Sequence, residues 1–197
     1  MREAVAGVVP AAGAGRRLGR PKALVDYGGT LLVERAAGVL TESGCEPTLV
    51  VLGAAAEEVT RRAHLPRATL LTNPHWASGM ASSLHTALDT LAGSDRYDDV
   101  TALLVLPVDM PGITVQAARR VAAHASSSAL AAASYAGVRG HPVLLGREHW
   151  AGIRASATGD AGAREYLRHH EVTFVACDDI AEGFDLDHPE DLRRHNT

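Results

Sequence analysis

What this chain can fold into is limited first by runs that are apolar without alternation. AVAGVV at residues 4–9, TLVVL at 48–52 and ALLVL at 102–106 leave no polar face. A strand with one side in water alternates polar and apolar residues, so strands like these must be covered on both sides. Between them lie stretches that read as helices. They are 31–43, with Gly44 placed to stop it, 55–63, 80–91, bounded by Gly79 and Gly93, and 116–125. A further short strand falls at 68–71. Apolar strands separated by helices predict an α/β fold, a Rossmann-like mostly parallel sheet with helices on both faces.

After residue 126 the pattern is less regular. Strands are expected at 129–134 and 142–145, around a turn at 136–140. A helix is expected at 161–169, a strand at 172–176 and a last helix at 189–194. The 197 residues suit a single domain spanning 1–197, with neither repeat nor long linker. A net charge of -4 argues against a global grip on nucleic acid or an anionic membrane, so any anion site must be local. No run approaches the roughly 18 apolar residues of a membrane span, and the N-terminal charges follow the apolar run, the wrong order for a signal peptide. Cys45 and Cys177 are too few for a disulfide framework or a zinc cluster. The expectation is a cytoplasmic protein with two unpaired thiols and no nucleic-acid or membrane partner.

Ligands of such sheets bind beyond the carboxyl ends of the strands, and the two sharpest motifs lie there. One is the loop after Val9, PAAGAGRRLGRPK, which sets glycines against Arg16, Arg17, Arg20 and Lys22. It is not the dinucleotide fingerprint, because Leu18 stands where the third glycine belongs. Nor is it a Walker loop, because Pro21 precedes Lys22 and Ala23 follows it. Glycines still let backbone N–H groups approach phosphate oxygens, and four cations suit a triphosphate better than a diphosphate bridge. The bland alternative is a solvated basic turn. The second motif is the acidic turn after Leu106, which ends at Asp109. Hard cations such as Mg²⁺ take oxygen ligands and often only one or two protein carboxylates.

In sequence order, six elements carry a resemblance. AAGAGRRLGRPK is followed by NPHWASGM with Ser82-Ser83-Leu84, by LPVDMP, by Gly140-His141-Pro142, by GDAGAR at 159–164 and by DLDHPEDL at 185–192. Together they resemble the MobA/MocA-like nucleotidyltransferases, across nearly the whole chain. Pro10 replaces the usual apolar residue before AAG, and His188 the usual threonine. The resemblance implies a fold of the nucleotide-diphospho-sugar transferase type, and transfer of a nucleotide to molybdopterin cofactor or a similar phosphorylated acceptor. It also leaves room for a molybdoenzyme or chaperone partner. It makes Asp109 a Mg²⁺ ligand and Asp187 the second, with a cap for the helix that starts at Pro189 as the lesser alternative for Asp187. The A-A-G form looks like the cytidylyl branch, which favours CTP over GTP.

The nucleotide-binding set is then Ala11, Ala12, Gly13, Gly15, Arg17, Lys22, Asn73, Ser82 and Asp109, with Arg17, Lys22 and Asp109 catalytic. Ser82, Ser83 and Asn73 either hold a ligand or belong to a helix start capped by Ser78. His141 and Arg164 are the acceptor-side candidates. For His141 a turn-shaping role is the favoured alternative, while Asp160 is expected to cap the helix at 161–169. Trp76 is read as packing, and His169 and His170 as solvent-facing. No Ser-His-Asp or Cys-His arrangement is visible. Rival functions are transfer to a sugar phosphate or other phosphorylated metabolite, a binding or chaperone-like module without turnover, and an NAD-linked oxidoreductase. The last is disfavoured by the broken fingerprint.

Overall fold

The computed structural model describes residues 3–195. The expected span of 1–197 therefore includes residues 1, 2, 196 and 197, which lie outside the described residues. In chain order the strands are β1 (Ala4–Ala11), β2 (Asp26–Tyr27), β3 (Thr30–Leu31), β4 (Thr48–Leu52), β5 (Ala68–Thr72), β6 (Val100–Val105), β7 (Leu130–Tyr135), β8 (Val138–Gly146) and β9 (Thr173–Ala176). The helices are α1 (Leu32–Ser43), α2 (Ala56–Arg62), α3 (Met80–Ala92), α4 (Val115–Ala122), α5 (Trp150–Ser156), α6 (Arg164–Arg168) and α7 (Pro189–His195). Seven strands form one sheet in the order β5-β4-β1-β6-β8-β7-β9. Only β8 runs against its neighbours; the other pairings are parallel.

The lack of alternation in the strands has the expected cause. Along β1, Val5, Val9 and Ala11 face one core, with α1, α2 and α4, while Ala6 and Val8 face the other, with α3, α5 and α6. Along β6, Ala102 and Leu104 take the first face, Leu103 and Val105 the second. All five residues of β4 are buried. Gly7 falls on the α1 side of β1, where a Cβ would stand 3.0 Å from Cys45 Cβ and 3.1 Å from Leu40 Cβ. Its missing side chain lets α1 lie close on the sheet.

Five local expectations need correction. The helix expected at 161–169 is shorter: a 3-10 turn at Gly159–Ala161 comes first, and Gly162, at φ 52°, breaks the chain before Arg164. The position before α6 is Ala163, with no side-chain cap, so Asp160 does not cap it. Ser78 does not cap α3 either; its hydroxyl donates to the His75 carbonyl, and Gly79 occupies the cap position. The expected turn at 136–140 shrinks to Ala136 and Gly137, at φ 49° and 76°, a two-residue hairpin of the kind that requires positive φ. His141 therefore lies within β8 and shapes no turn. The β2–β3 hairpin around Gly28-Gly29 and helix α5 were not anticipated. Both thiols are free and buried. Among the described residues no helix is long and apolar enough to cross a membrane.

Candidate active site

From β1 the chain crosses to β4 on one side, while from β6 the sheet continues to β8 on the other. The connections diverge at β1 and β6, and the crevice at their carboxyl ends is where ligands of open α/β sheets bind. Strand pairing continues past the formal ends and carries both motifs into it. The N–H of Leu106 donates to the Val8 carbonyl at 3.0 Å, and that of Val108 to Pro10 at 3.4 Å. Asp109 follows directly. On the other flank of β1, the Ala54 N–H donates to the Ala12 carbonyl at 2.9 Å.

The loop from Ala12 to Lys22 is anchored by its apolar residues and open at its polar ones. Ala11, Leu18, Ala23 and Leu24 are buried in the α1-side core, whereas Gly13, Arg16, Arg17 and Arg20 are exposed. Gly15 is needed where it stands. Its φ is 63°, and a Cβ there would lie 1.8 Å from the Arg20 carbonyl oxygen. The Gly19 N–H closes the turn on the Gly15 carbonyl at 2.9 Å. Among the described residues, the backbone N–H groups of residues 13–17 make no hydrogen bond, which leaves them available to an anion. A Cβ on Gly13 would meet nothing within 4 Å.

Lys22, the last residue of the loop, joins the carboxylates. Its Nζ donates to Asp109 Oδ2 at 2.6 Å and to Asp187 Oδ1 at 2.5 Å, and Arg17 Nη1 reaches Asp187 Oδ2 at 3.2 Å. Burial pulls the Lys22 ammonium down, but the two carboxylates outweigh it and leave its pKa raised. The hydrogen bond from Lys22, helped by the charge of Arg17, holds the Asp187 carboxyl below the usual range. Asp187 is positioned by buried Leu186, whose N–H donates to the Asp109 carbonyl at 2.9 Å. Its carboxylate faces the crevice. The start of α7 is instead met by Asp191, which accepts from the N–H groups of Asp187 and His188.

These oxygens fit a hard divalent cation. Asp109 and Asp187 converge on one point, and among the described residues no group of three or more His, Cys, Asp or Glu is gathered elsewhere to cage a metal. Two carboxylates completed by phosphate and water oxygens are the donor set that Mg²⁺ accepts.

The other candidates surround this centre. Asn73 is buried; its amide donates to Ser82 Oγ at 2.8 Å and Ser83 Oγ at 3.2 Å, and its carbonyl accepts from the His75 N–H. Its side chain is thus engaged in joining β5 to α3, while Ser82 also bonds the Gly79 carbonyl. A Cβ on Gly53 would stand 2.5 Å from Trp76 Cβ, so Trp76 lies close against the chain that follows β4. His141 is half-buried in β8. Burial first, then the nearby charges of Arg164 and Arg139, push its imidazole down to about 4, against a smaller opposing effect of Asp185. His169 is exposed and pairs with Glu165, whereas exposed His170 stacks on Tyr166 with ring centroids 3.8 Å apart.

Three supporting residues escaped the sequence. Arg35 of α1 donates to the Pro111 carbonyl at 2.8 Å and ties the acidic turn down. Arg139, beside Arg164, adds a positive charge that helps hold the His141 imidazole down. The Tyr135 ring fills the space left by Gly140 and Gly183, and its hydroxyl donates to the His141 carbonyl at 2.8 Å. Gly140 and Gly183 carried the signal, as glycines that no turn in the structure explains.

A glycine-rich cationic loop and paired carboxylates meet at the switch point of a mostly parallel sheet, in an α/β protein of nucleotidyltransferase architecture. The chain belongs to the MobA-like NTP transferase domain family of nucleotidyltransferases, whose model matches residues 7–174. Nicotine blue oxidoreductase of Paenarthrobacter nicotinovorans is 37% identical over 200 residues, covering 96% of this chain and 95% of that one. A solved homologue of Mycobacterium tuberculosis Rv0371c, from Mycobacterium sp. strain JC1, is 29% identical with a TM-score of 0.82 over 98% of this chain and 96% of its own. The M. tuberculosis protein has been solved in complex with manganese; it is 25% identical, with a TM-score of 0.76 and 98% of each chain covered. A nucleotidyl transferase from Methanothermobacter shares the fold at 19% identity and a TM-score of 0.80, over 98% of this chain and 96% of that one.

Proposed function

We propose that this chain, as one domain over residues 1–197, transfers a nucleotide from an NTP to a phosphorylated acceptor and releases pyrophosphate. CTP is the leading donor and molybdopterin cofactor the leading acceptor. The observation that carries the reading is the meeting of Lys22, Asp109 and Asp187 beside a loop with free N–H groups. An acceptor phosphate is ionised at neutral pH, so its oxygen needs no strong base to attack the α-phosphorus. The bond to the pyrophosphate oxygen breaks in line, and positioning with charge neutralisation does most of the work.

In this reading the N–H groups of residues 13–17 hold phosphate oxygens, and Lys22 and Arg17 stabilise the charge of the departing pyrophosphate. Asp109 and Asp187 would hold Mg²⁺, which supplies charge neutralisation on the phosphates when bound. Asn73 acts by positioning Ser82. Arg164 and Arg139 give the acceptor an anion site, with His141 present as a neutral imidazole. The donor preference rests on Ala12, where the resembled guanylyl branch usually carries glycine. One methyl contributes only about 1–3 kcal/mol of discrimination, so Ala12 alone supports roughly 10- to 200-fold selectivity.

The 37% identity to a relative named as an oxidoreductase favours a second reading, reduction of a substrate by a nicotinamide cofactor. The missing third glycine of the fingerprint, replaced by Leu18, weighs against it. Calorimetry with CTP, GTP and NADH, each with and without Mg²⁺, separates the two. Metal-dependent triphosphate binding supports transfer. NADH binding without any triphosphate binding would overturn it.

A further inference from the structure

Lys22 stands where the metal of the proposed reaction belongs. Its Nζ lies 2.6 Å from Asp109 Oδ2 and 2.5 Å from Asp187 Oδ1. Hard divalent cations hold carboxylate oxygens at about 2.0–2.6 Å. An ammonium and a metal therefore cannot both sit between the same pair of oxygens. We infer that Lys22 is a place-holder that keeps the metal position closed until a triphosphate is bound. The inference rests on the nucleotidyltransferase reading and adds to it an order of binding.

Moving Lys22 away requires a substitute for both carboxylates. Its side chain and those of its partners are 19%, 19% and 27% exposed, so water screens the three charges only in part. A free dication that displaced the ammonium would leave it unpaired beside two new positive charges. A triphosphate changes this, because its oxygens offer the ammonium an equivalent charge-assisted partner. The backbone need not move. Ala23 and Leu24, next in the chain, are buried, and the Val25 N–H bonds the Lys22 carbonyl at 3.1 Å, so only the flexible stem swings. Arg17 cannot take this role. It touches only Asp187 Oδ2, at 3.2 Å, from a side chain that is 69% exposed.

The test is Mn²⁺ binding without nucleotide, followed by electron paramagnetic resonance of the free ion. Wild-type protein should bind Mn²⁺ weakly. Lys22→Met should bind it about tenfold more tightly or better, because two adjacent carboxylates are left without their cation. Lys22→Gln, which keeps a polar group, should behave alike and serves if the methionine variant folds poorly by circular dichroism. Arg17→Met removes the same charge from outside the carboxylate pair and should change the affinity by no more than roughly threefold, as an exposed pair would. Unchanged affinity in both Lys22 variants, or equal tightening in Arg17→Met, overturns the place-holder role. Calorimetry of wild type with CTP and Mg²⁺ tests the functional reading separately, so either idea can fail while the other stands.

Discussion

Asp109 owes its position to strand pairing that runs past the end of β6, and its carboxylate meets Lys22 there. A carboxylate placed this way is expected to be essential to chemistry and dispensable for folding. Asp109→Ala should lower pyrophosphate release by roughly 10²-fold or more, since metal-held charge stabilisation is worth several kcal/mol, with an unchanged circular dichroism spectrum. Lys22→Ala should weaken triphosphate binding by about 1.5–3 kcal/mol through loss of a charge-assisted bond. Retained affinity measured by calorimetry would return the loop to a solvated basic turn. His141 gives a pH-dependent expectation. Its folded pKa, about 4, lies below the ordinary 6.5, so the unfolded chain takes up the proton first as pH falls. Its contribution to stability is then complete above 6.5 and lost as pH falls from 6.5 toward 4. Denaturant melts of wild type should weaken across that window, while His141→Gln should lose this part of the slope. Equal slopes would place the imidazole in water.

At the scale of elements, the loop between β1 and α1 depends on one backbone conformation. Gly15→Ala must put a Cβ at φ 63°, against the Arg20 carbonyl, so the loop has to open. Triphosphate affinity should drop sharply while the thermal transition moves by only a few degrees, because the loop's anchors Leu18 and Leu24 remain in the core. A large fall in melting temperature with affinity intact would reverse that ranking. Legibility in the sequence followed the same physics. Helix α1 was readable because Gly44 stops it at φ 98°, and β1, β4 and β6 because burial on both faces leaves them almost wholly apolar, with Thr48 and Thr101 the exceptions. Helix α5 was not, since seven residues with only Trp150 and Ile153 buried are too few to display a period. The β7–β8 turn was placed too broadly because Gly140 is a glycine for packing, under the Tyr135 ring, and not for bending. The carboxylates and cations of the site were legible as residue types at strand ends. Their partners were not: that Lys22 would bridge Asp109 and Asp187, 87 and 165 residues away, is a property of the folded sheet alone.

For the whole molecule, the sheet's order predicts a gradient of stability around the proposed site. β1 lies at the switch point between β4 and β6, with cores on both faces, and β4 is buried at every residue and paired on both sides. The two edges differ. β5 pairs only with β4 and none of its residues is fully buried, while β9 pairs only with β7 and buries Val175 alone, leaving Phe174 54% exposed. Amide exchange through local opening is fastest where few apolar contacts must break. Exchange should therefore be slowest in β1, β4 and β6 and fastest in β5 and β9, with the loop at 12–22 faster still. Adding CTP with Mg²⁺ should slow exchange at residues 13–17, whose N–H groups gain phosphate partners, and leave the edge strands unchanged. Mass spectrometry of peptides covering these segments measures all of this in one experiment. Slow exchange in β9 without ligand would mean that its edge is covered in solution. Protection confined to β5 or β9 on adding nucleotide would move the binding site away from the switch point. The gradient explains why both can be asked at once: the strands that carry Ala11 and lead to Asp109 are expected to be the slowest to exchange, and the segment proposed to receive the ligand the least protected part attached to them.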